Sequence, residues 1–441
     1  MTGQSSDNSD ALYERALKVL PGGNTRTTVF ELPHPPYAER GEGCRLYDVD
    51  GKTYLDFVNN YTSLIHGHAH PDVIGAVRDQ LERGSAFPFP TESEISLAEL
   101  LCERLPGFDL VRYVNSGSEA VMTAIKAARA FTDRPKIAKC EGSYHGSYDF
   151  AEVSLDSTPE TWGNAAPKSV AYARGTPRSV LDDVVVIPFN KPDEAEAILR
   201  AHADSLAAVL IDPMPNRGGL IPATPEFLEM LRRVTEENGI LLLFDEVITF
   251  RLGYAGAQGR FGVTPDLTTL AKIIGGGFPV GAVAGRADVM AVFDPREGKA
   301  DLPHSGTFNA NPVTMVAGEA TMRLLTPAEF DRLEALGDRA RAGMTAAFRE
   351  AGIEGQVTGL GSLLRFHMTS APLVDYRSAL MTADQKAALA KVLRSMRDEG
   401  VFLNDRGVAA LSTPMTETDI DTLVAAFGRA LGGLKARHAA E

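Results

Sequence analysis

The sequence predicts an α/β fold in which a mostly parallel sheet lies between helices and a smaller α+β domain is added. Short apolar runs alternate with helical stretches from about residue 56 to Asn311. Several of these runs are apolar throughout, which is typical of parallel strands that are buried on both faces. With 441 residues the chain is too long for one ordinary core, so we expect at least two lobes.

The N-terminal segment is predicted to contain a leader, a short helix and a hairpin. Residues 1–10 are polar and acidic, lack the features of a signal peptide and are expected to fray. Apolar residues recur at helical spacing over residues 11–20, and the pattern stops at Pro21-Gly22-Gly23. Two alternating runs about an Asp-Gly turn predict a hairpin over residues 43–56.

Five apolar runs predict strands of the sheet, and later helical patterns predict the smaller domain. The predicted strands cover residues 111–114, 136–139, 184–187, 206–211 and 240–244. The predicted helices of the smaller domain cover residues 313–325, 327–351 and 382–399. We divide the chain into an N-terminal segment (1–55) that joins the small domain, a large domain (56–314) and a C-terminal small domain (315–441). Ligands of such sheets bind at the carboxyl ends of the strands.

The composition argues against several classes of partner. The net charge of −14, from 44 basic and 58 acidic residues, repels polyanions, and no Lys/Arg run suggests a nucleic-acid site. Three widely spaced cysteines, Cys44, Cys102 and Cys140, predict neither a disulfide framework nor a zinc site and indicate a cytoplasmic chain. His68 and His70 lack the further ligands that a metal site requires. No apolar run is long enough to span a bilayer, so we expect no membrane contact. On the grounds of charge and ligand residues given above, we also expect no metal site and no nucleic-acid partner.

Asp245 and Lys272 are the two residues that indicate a cofactor. Asp245 ends the apolar run 241–244, and Lys272 lies among apolar neighbours before three consecutive glycines. An amine in apolar surroundings is nucleophilic, so Lys272 can hold pyridoxal phosphate as a Schiff base. A carboxylate at a buried strand end can keep the pyridine nitrogen protonated, and Val247 can pack against the ring. Alternatively, Asp245 caps a helix and the Lys272 side chain extends to solvent. The three glycines after Lys272 favour the first interpretation, because a glycine run lets the backbone approach a ligand closely.

Two further turns follow predicted strands. Ser116, Gly117 and Ser118 fall at the start of a helix, where free backbone N–H groups and hydroxyls can bind a phosphate. The alternative is that this turn only caps the helix. Tyr144 can stack on a cofactor ring with His145 beside it, or the two can belong to a loop with a packed tyrosine and a surface histidine.

Taken together, five segments in this order resemble class III aminotransferases, and they cover most of the chain. The segments are Asn115-Ser116-Gly117-Ser118-Glu119-Ala120, Glu141-Gly142-Ser143-Tyr144-His145-Gly146, Phe244-Asp245-Glu246-Val247, Leu267-Thr268-Thr269-Leu270-Ala271-Lys272-Ile273-Ile274-Gly275-Gly276-Gly277 and Ser305-Gly306-Thr307-Phe308-Asn309. The resemblance implies a fold type I pyridoxal phosphate transferase whose large domain holds a mostly parallel, seven-stranded-type sheet. It also implies an obligate homodimer with active sites at the subunit interface.

The resemblance assigns a cofactor contact to each of Ser116, Gly117, Ser118, Tyr144, His145, Asp245, Val247, Lys272 and Thr307. Lys272 is implied to form the Schiff base and to move protons, and Asp245 to pair with the pyridinium. Ser116, Gly117 and Ser118 are implied phosphate ligands, and Thr307 is a phosphate ligand donated by the other subunit.

Within the class, the chain resembles glutamate-1-semialdehyde aminomutases and the β-amino acid (β-phenylalanine type) aminotransferases. It is more similar to the second subgroup in residues 21–26, 287–296, 304–309 and 405–407. In that subgroup two arginines bind substrate carboxylates, and they match Arg26 and Arg406 here. A guanidinium suits this role because it offers a permanent charge and two parallel donors. The alternative is that either arginine forms a surface ion pair.

The resemblance implies an aminotransferase that moves an amino group from a β-amino acid or related amine to pyruvate or 2-oxoglutarate by a ping-pong mechanism. Intramolecular amine transfer, as in the aminomutases, is the alternative; Lys272 with Asp245 disfavours a non-catalytic binding protein. The chain departs from the class at Asp212-Pro213-Met214-Pro215-Asn216-Arg217, where Glu-Pro and a following glycine are usual. Asp212 is one methylene shorter and Arg217 can contact an anion, so substrate choice can differ from both subgroups.

Overall fold

The computed structural model describes residues 7–105, 107–164 and 166–438, and the strands and helices below belong to these residues. The strands are β1 (Ala38–Glu42), β2 (Arg45–Asp48), β3 (Thr53–Asp56), β4 (Leu110–Val114), β5 (Lys136–Cys140), β6 (Val184–Ile187), β7 (Leu206–Ile211), β8 (Leu241–Asp245), β9 (Leu267–Ala271), β10 (Gly281–Gly285), β11 (Gln356–Thr358), β12 (Leu363–His367), β13 (Val401–Phe402) and β14 (Val408–Ala410).

The helices, excluding short 3-10 turns, are α1 (Asp7–Leu17), α2 (Asn59–Thr62), α3 (Pro71–Leu81), α4 (Glu92–Arg104), α5 (Gly117–Thr132), α6 (Asp149–Glu152), α7 (Arg178–Asp182), α8 (Pro192–Ala201), α9 (Pro225–Asn238), α10 (Gly256–Phe261), α11 (Ala287–Met290), α12 (Pro312–Leu324), α13 (Pro327–Ala351), α14 (Ala383–Asp398) and α15 (Glu417–His438). Among the described residues, none of these helices has the length and apolar character needed to cross a membrane.

The central sheet has seven strands in the order β4-β10-β9-β8-β7-β5-β6, and only β10 runs antiparallel to its neighbours. This confirms the mostly parallel sheet, and all five predicted strands belong to it. β7 and β8 are buried along their whole length, as expected for strands covered by helices on both faces. β9 and β10 were not predicted as strands, because β10 consists of glycine and alanine around one valine, a composition with low strand propensity.

Four of the parallel strands end at one edge of the central sheet and bring distant residues together there. β5 ends before Glu141, β7 before Asp212, β8 at Asp245 and β9 before Lys272. Because parallel strands share their direction, these four ends form the floor of a crevice at the carboxyl edge.

Two smaller sheets connect the two ends of the chain. β2 and β3 form the predicted antiparallel hairpin, and β3 continues into a parallel pairing with β13, in which Leu55 lies opposite Val401. β12 pairs on one side with β11 and on the other with β14. One cluster of buried side chains extends from Phe57 and Leu270 to Phe427, so the large and small lobes share a core. The boundaries at residues 55 and 314 stay a prediction.

The N-terminal helix starts earlier than expected. Residues 1–10 were predicted to fray, but α1 begins at Asp7; residues 1–6 lie outside the described part. The side-chain amide of Asn8 donates to Val49 O at 2.9 Å, and the Ser9 hydroxyl donates to the carboxylate of Asp50. These contacts with the β2–β3 turn hold the first turn of the helix in place.

The short element α2 is left-handed. Its four residues, Asn59–Thr62, all have φ between 46° and 74°, a conformation that costs roughly 1–2 kcal/mol for each residue that is not glycine. The cost is offset by specific partners: the Asn59 N–H donates to Asp56 Oδ1 at 3.0 Å, and the Asn59 amide donates to Ala410 O at 2.7 Å. Arg251 donates to Thr62 O at 3.1 Å.

Candidate active site

A cavity of about 360 Å³ lies at the carboxyl edge of the central sheet. Eight of the predicted site residues line it: Ser116, Gly117, Ser118, Tyr144, His145, Asp245, Val247 and Lys272. They come from the ends of β4, β5, β8 and β9, which explains how segments up to about 150 residues apart in sequence meet. Asp212, at the end of β7, lines the same cavity.

Lys272 has the environment of a nucleophilic amine. It follows β9 directly and has a positive φ of 54°, which turns the chain sharply away from the strand direction. Burial lowers the pKa of the Lys272 amine, and the nearby charges of Asp245 and Asp212 only partly oppose this effect. The amine therefore spends more time unprotonated than an exposed lysine would, as the sequence predicted.

The three glycines after Lys272 serve packing more than ligand approach. A Cβ at Gly275 would lie 2.4 Å from a methyl of Val280, and a Cβ at Gly276 would lie 2.5 Å from Ala317 O in α12. Only Gly277 of the three lines the cavity. The glycine run thus mainly lets the Lys272 turn dock against helix α12.

Asp245 is held as a hydrogen-bond acceptor with room for one more donor. Its Oδ1 accepts from the Val247 N–H and from the Thr269 hydroxyl, both at 3.1 Å, and its Oδ2 lies 2.7 Å from His145 Nδ1. A carboxylate has about four lone-pair positions, so three donors leave one for a pyridine N–H. Asp245 is therefore fixed by its own strand, by β9 and by the His145 loop.

His145 is buried, so the alternative of a surface histidine is wrong. Burial lowers the pKa of the His145 ring, and the hydrogen bond to Asp245 only partly opposes this. A neutral ring with its proton on Nδ1 donates to Asp245, and Nε2 has no partner among the described residues. His145 thus orients the carboxylate without adding a second charge to it.

Lys139 supports the loop that carries Tyr144 and His145, and no sequence motif indicated it. Its side chain is completely buried in β5, and its Nζ donates to Ser143 O at 3.0 Å and to Val153 O at 2.7 Å. Burial lowers the pKa of this amine to about 7. The lysine therefore ties the start of the loop to the chain that returns behind it.

The start of α5 offers an anion site next to these groups. The Ser116 hydroxyl caps the helix by accepting from the Glu119 N–H at 3.1 Å, so the capping interpretation is also correct. The N–H groups of Gly117 and Ser118 belong to the first helical turn, where helix geometry supplies no acceptor. A sixteen-residue helix adds the positive end of its dipole at this point.

The residues present fit pyridoxal phosphate. Gly117 and Gly146 form a close-fitting wall: a Cβ at Gly117 would lie 3.1 Å from both Val247 methyls, and a Cβ at Gly146 would lie 2.5 Å from the Ser118 hydroxyl oxygen. A buried amine, an acceptor for a protonated ring nitrogen and a helix start for a phosphate lie around one cavity. These are the three groups by which such a cofactor is bound.

Asp212 lies in surroundings that disfavour its charged form. Burial raises the pKa of Asp212 well above its usual range, the charge of Asp245 raises it further, and Lys272 partly opposes the shift. One oxygen of Asp212 accepts from the Met214 N–H at 2.9 Å. The protonated form of Asp212 is therefore favoured more than it would be for an exposed aspartic acid.

Three predicted residues lie outside the cavity lining. Arg26 donates through Nη1 to Asn60 Oδ1 at 3.0 Å, and Asn60, in the left-handed element α2, lines the cavity. Arg406 lies in the loop between β13 and β14, and Thr307 lies in an exposed segment next to Phe308, whose side chain is 62% exposed. In one chain alone, Thr307 does not reach the cofactor end of the cavity.

Comparisons with known proteins agree on one family. The model of the class-III aminotransferase family matches residues 30–431. A glutamate-1-semialdehyde 2,1-aminomutase 2 of Halalkalibacterium halodurans is 39% identical over 435 residues, which cover 97% of this chain and 99% of that protein.

Two solved structures of transaminases superpose closely on the fold. An omega-transaminase from Sphaerobacter thermophilus has a TM-score of 0.95 and 56% identity, over 96% of this chain and 97% of that one. A β-phenylalanine aminotransferase from Variovorax paradoxus has a TM-score of 0.87 and 37% identity, over 98% of this chain and 95% of that one.

Proposed function

Since this chain belongs to the class-III aminotransferase family, whose enzymes depend on pyridoxal phosphate, we propose that it transfers the amino group of a β-amino acid or related amine to a 2-oxo acid. The family, the enzyme class and the cofactor are the premise. The substrates and the roles of individual residues are the proposal.

The choice of a carboxylated donor rests on one observation: Arg26 hydrogen-bonds Asn60, a residue that lines the cavity. Its guanidinium hydrogen-bonds the Asn60 side chain that lines the cavity and lies 5.6 Å from the centre of the Tyr61 ring. The Arg26 side chain has no carboxylate partner among the described residues, so it is available to a substrate carboxylate. The similarity to a β-phenylalanine aminotransferase supports the same choice.

The cofactor, when bound, supplies an electron sink for the charge that develops on the donor carbon. Lys272 binds the cofactor and moves a proton at that carbon, and the lowered pKa of its buried amine suits this role. Asp245 holds the ring nitrogen in its protonated form, and His145 orients Asp245. Val247 packs on the ring, Tyr144 stacks against it, and Ser116, Gly117 and Ser118 bind the phosphate.

The reaction proceeds in two half-reactions at the same residues. The donor leaves as a keto product before pyruvate or 2-oxoglutarate enters, so one cavity serves both substrates in turn and ping-pong kinetics follow. Arg26 and Arg406 bind the carboxylates of the donor and the acceptor. Two anchors at different positions accommodate substrates that place the carboxylate at different distances from the reacting carbon.

Intramolecular amine transfer is the second candidate. It is favoured by the curated relatives, because several that are 38–39% identical carry the name glutamate-1-semialdehyde aminomutase. An aminomutase isomerises one substrate without a separate acceptor. Conversion of glutamate 1-semialdehyde in the absence of any keto acid therefore separates the two candidates.

The working unit is proposed to be a cytoplasmic homodimer. Thr307 and the neighbouring Phe308 are exposed in the single chain, as is Phe89, and contact with a second chain would cover them and bring Thr307 to the partner's phosphate site. The three cysteines are free, which suits a reducing compartment. Light scattering of the purified protein that gives only monomer mass at micromolar concentration would contradict the dimer.

A donor panel tests the function. β-Phenylalanine, an aliphatic β-amino acid, a simple amine without a carboxylate and glutamate 1-semialdehyde are each assayed with pyruvate and with 2-oxoglutarate. We expect turnover of the β-amino acids with parallel lines in double-reciprocal plots. No turnover of any β-amino acid, or converging lines, would reject the proposed reaction or its mechanism.

A further inference from the structure

A segment between β12 and α14 lies against the carboxyl edge of the central sheet. Asp375 in this segment forms an ion pair with Lys191, which lies in the loop after β6, at 2.8 Å. A Cβ at Gly219, in the loop after β7, would lie 2.9 Å from the Cβ of Ala379. We call residues 374–379 the docking segment, because they join the last third of the chain to the edge at which the cavity lies.

Arg377 of the docking segment binds the first residue of the loop that carries Tyr144 and His145. We call residues 141–146 the cofactor loop. The Arg377 guanidinium donates to both carboxylate oxygens of Glu141, from Nε at 2.6 Å and from Nη2 at 3.3 Å. Glu141 directly follows β5, and its side chain is only 4% exposed. A bidentate pair at a buried carboxylate fixes both distance and orientation, so it holds the start of the cofactor loop.

Arg377 also binds two backbone carbonyls beside this pair. Its Nη1 donates to Asn164 O at 2.6 Å, and its Nη2 donates to Trp162 O at 3.0 Å. The guanidinium carbon lies 4.8 Å from the centre of the Trp162 ring. A lysine could supply a charge to Glu141, but only a planar guanidinium can make all these contacts at once.

Tyr376 makes a second contact with the cofactor loop, at Gly142. A Cβ at Gly142 would lie 2.0 Å from the tyrosine ring, and this glycine has a φ of 71°. Any other residue there would displace the ring and strain the backbone. The Tyr376 hydroxyl donates to Ser157 O at 2.8 Å, and the Ser157 hydroxyl donates to Glu141 at 2.9 Å. Two consecutive residues of the docking segment therefore hold two consecutive residues of the cofactor loop.

The other end of the cofactor loop lies in the cavity. Tyr144 and His145 line it, and His145 Nδ1 lies 2.7 Å from the Asp245 carboxylate. Only three residues separate Glu141 from His145, so a shift at the start of the loop is transmitted to its end. The groups of such a site must be held to within about 0.5 Å, which requires support from the residues behind them.

We propose that Arg377, acting through Glu141, is a positioning residue for the cofactor. It places the cofactor loop, so that pyridoxal phosphate binds tightly only when the docking segment is seated on the sheet edge. The inference rests on the proposed cofactor contacts of Tyr144 and His145, and it does not depend on which donor and acceptor the protein uses.

The first test measures cofactor binding in the purified holoenzyme. Equilibrium dialysis gives the dissociation constant of pyridoxal phosphate, and visible circular dichroism per bound cofactor reports how the ring is held. We expect Arg377→Met to raise the dissociation constant about 5- to 50-fold and to lower the dichroism about twofold. Arg377→Lys keeps a charge beside Glu141, so it should fold and should raise the dissociation constant about threefold. An unchanged dissociation constant in both variants overturns the proposal.

Arg260→Met is the matched control. Arg260 in α10 donates to both carboxylate oxygens of Glu334 in α13, so this is also a bidentate pair between distant parts of the chain, but it lies outside the cavity lining. Arg260→Met and Arg377→Met should both lower the melting temperature, whereas only Arg377→Met should weaken cofactor binding. Equal loss of cofactor affinity in both variants would show that Arg377 acts through general stability and would overturn the proposal.

A double-mutant cycle tests whether the effect passes through Glu141. Glu141→Gln alone should also weaken cofactor binding. The double variant with Arg377→Met should bind the cofactor no more weakly than the more affected single variant, because two residues that act as one unit are not additive. Independent, additive losses would show that Arg377 does not act through Glu141.

Trp162 is the only tryptophan of the chain, and its contact with Arg377 makes it a reporter of the docking segment. If the docking segment strengthens cofactor binding, linkage requires that the cofactor strengthens its seating in return. We expect the lifetime-corrected rate constant for acrylamide quenching of Trp162 to be about 1.5-fold lower with cofactor than without, and equal in both forms of Arg377→Met. No protection by the cofactor in the unmodified protein overturns the coupling. Protection in a protein that fails the donor panel rejects the proposed substrates and supports the positioning role.

Discussion

The two ends of the cavity are built differently. The cofactor end consists of residues that directly follow or end strands of one sheet, and its key carboxylate, Asp245, has three donors from within the large domain. The substrate end is proposed to consist of the left-handed turn at residues 59–62, which Arg26 contacts, and the loop between β13 and β14, which carries Arg406; the two segments are more than 300 residues apart. Neither Arg26 nor Arg406 has a carboxylate partner among the described residues.

We therefore expect the residues that carry out the reaction and the residues that select the substrate to lie at different ends of the cavity. The cofactor end needs no substrate to be ordered, because three donors of the chain itself already hold Asp245. The arginines of the substrate end are proposed to gain their counter-charges from the ligand. This division fits the similarity of the chain, over nearly its whole length, to proteins named as an aminomutase, an omega-transaminase and a β-phenylalanine aminotransferase, since the cofactor end can stay constant while the substrate end changes.

The largest effect is expected at the centre of the cofactor end. Lys272→Ala removes the amine that is proposed to bind the cofactor and move the proton, so kcat/KM should fall by at least about 10³-fold for every donor. The visible absorbance of the lysine-bound cofactor should disappear with it. Lys136→Ala, at an exposed amine near the start of β5, is the control and should keep both signals. A Lys272→Ala enzyme with normal turnover would contradict the assignment.

Asp245→Asn should produce the next largest effect. The substitution keeps the size of the side chain but removes the charge that a protonated ring nitrogen needs, and loss of a buried partner costs about 3–5 kcal/mol, or roughly 10²- to 10⁴-fold in kcat. Asp266→Asn is the matched control, because Asp266 is a buried acid that accepts from the Leu242 N–H at the opposite end of β8. It should lower the melting temperature and leave kcat within about threefold; equal kcat losses in both variants would indicate a general folding defect.

At the substrate end, Arg26→Gln should weaken binding of a carboxylated donor and leave the chemical step nearly unchanged. We expect KM for β-phenylalanine to rise about 10-fold, with little change in kcat, because a charge-assisted hydrogen bond to the carboxylate is lost. A simple amine without a carboxylate should be used as well as before. Arg40→Gln, at an exposed ion pair with Glu42, is the control. Equal losses for both donors would show that Arg26 supports the fold instead.

The smallest effect concerns the pH dependence of stability and comes from His367 on β12, outside the cavity. Burial lowers the pKa of His367 to about 3, while an unfolded histidine titrates near 6.5. Below pH 6.5 the unfolded chain binds a proton that the folded chain does not, so stability falls as the pH drops, by about 2 kcal/mol from pH 6.5 to 5. His367→Gln, whose amide can still donate to Gly219 O, should weaken this fall in stability. If the melting temperature drops equally between pH 7 and pH 5 in the variant and in the unmodified protein, the prediction is wrong.

The same division explains what the sequence could predict. Asp245 was recognisable because a short-range apolar pattern reveals the buried strand β8, and Lys272 because it lies among apolar neighbours before three glycines. The cap at Ser116 was likewise a local signal. The roles of these residues in the reaction stay predictions.

The structural features missed by the sequence depend on contacts between distant segments. Lys139 resembles any strand lysine until the return of the chain at Val153 buries it. Arg365 lies in a strand of the small domain, and nothing near it in sequence indicates that it meets Asn216. β10 escaped prediction because packing, not strand propensity, selects its residues: a Cβ at Gly281 would lie 2.1 Å from Ser116 O.

The left-handed turn also orders events during synthesis on the ribosome. Asn59 donates to Ala410, which is 351 residues later in the chain. At about 5–20 residues per second, roughly 20–70 s pass between the emergence of the two residues. During that interval the turn lacks one of the partners that offset its backbone strain. The nascent chain can therefore complete its central sheet well before it completes the pocket in which a substrate would bind.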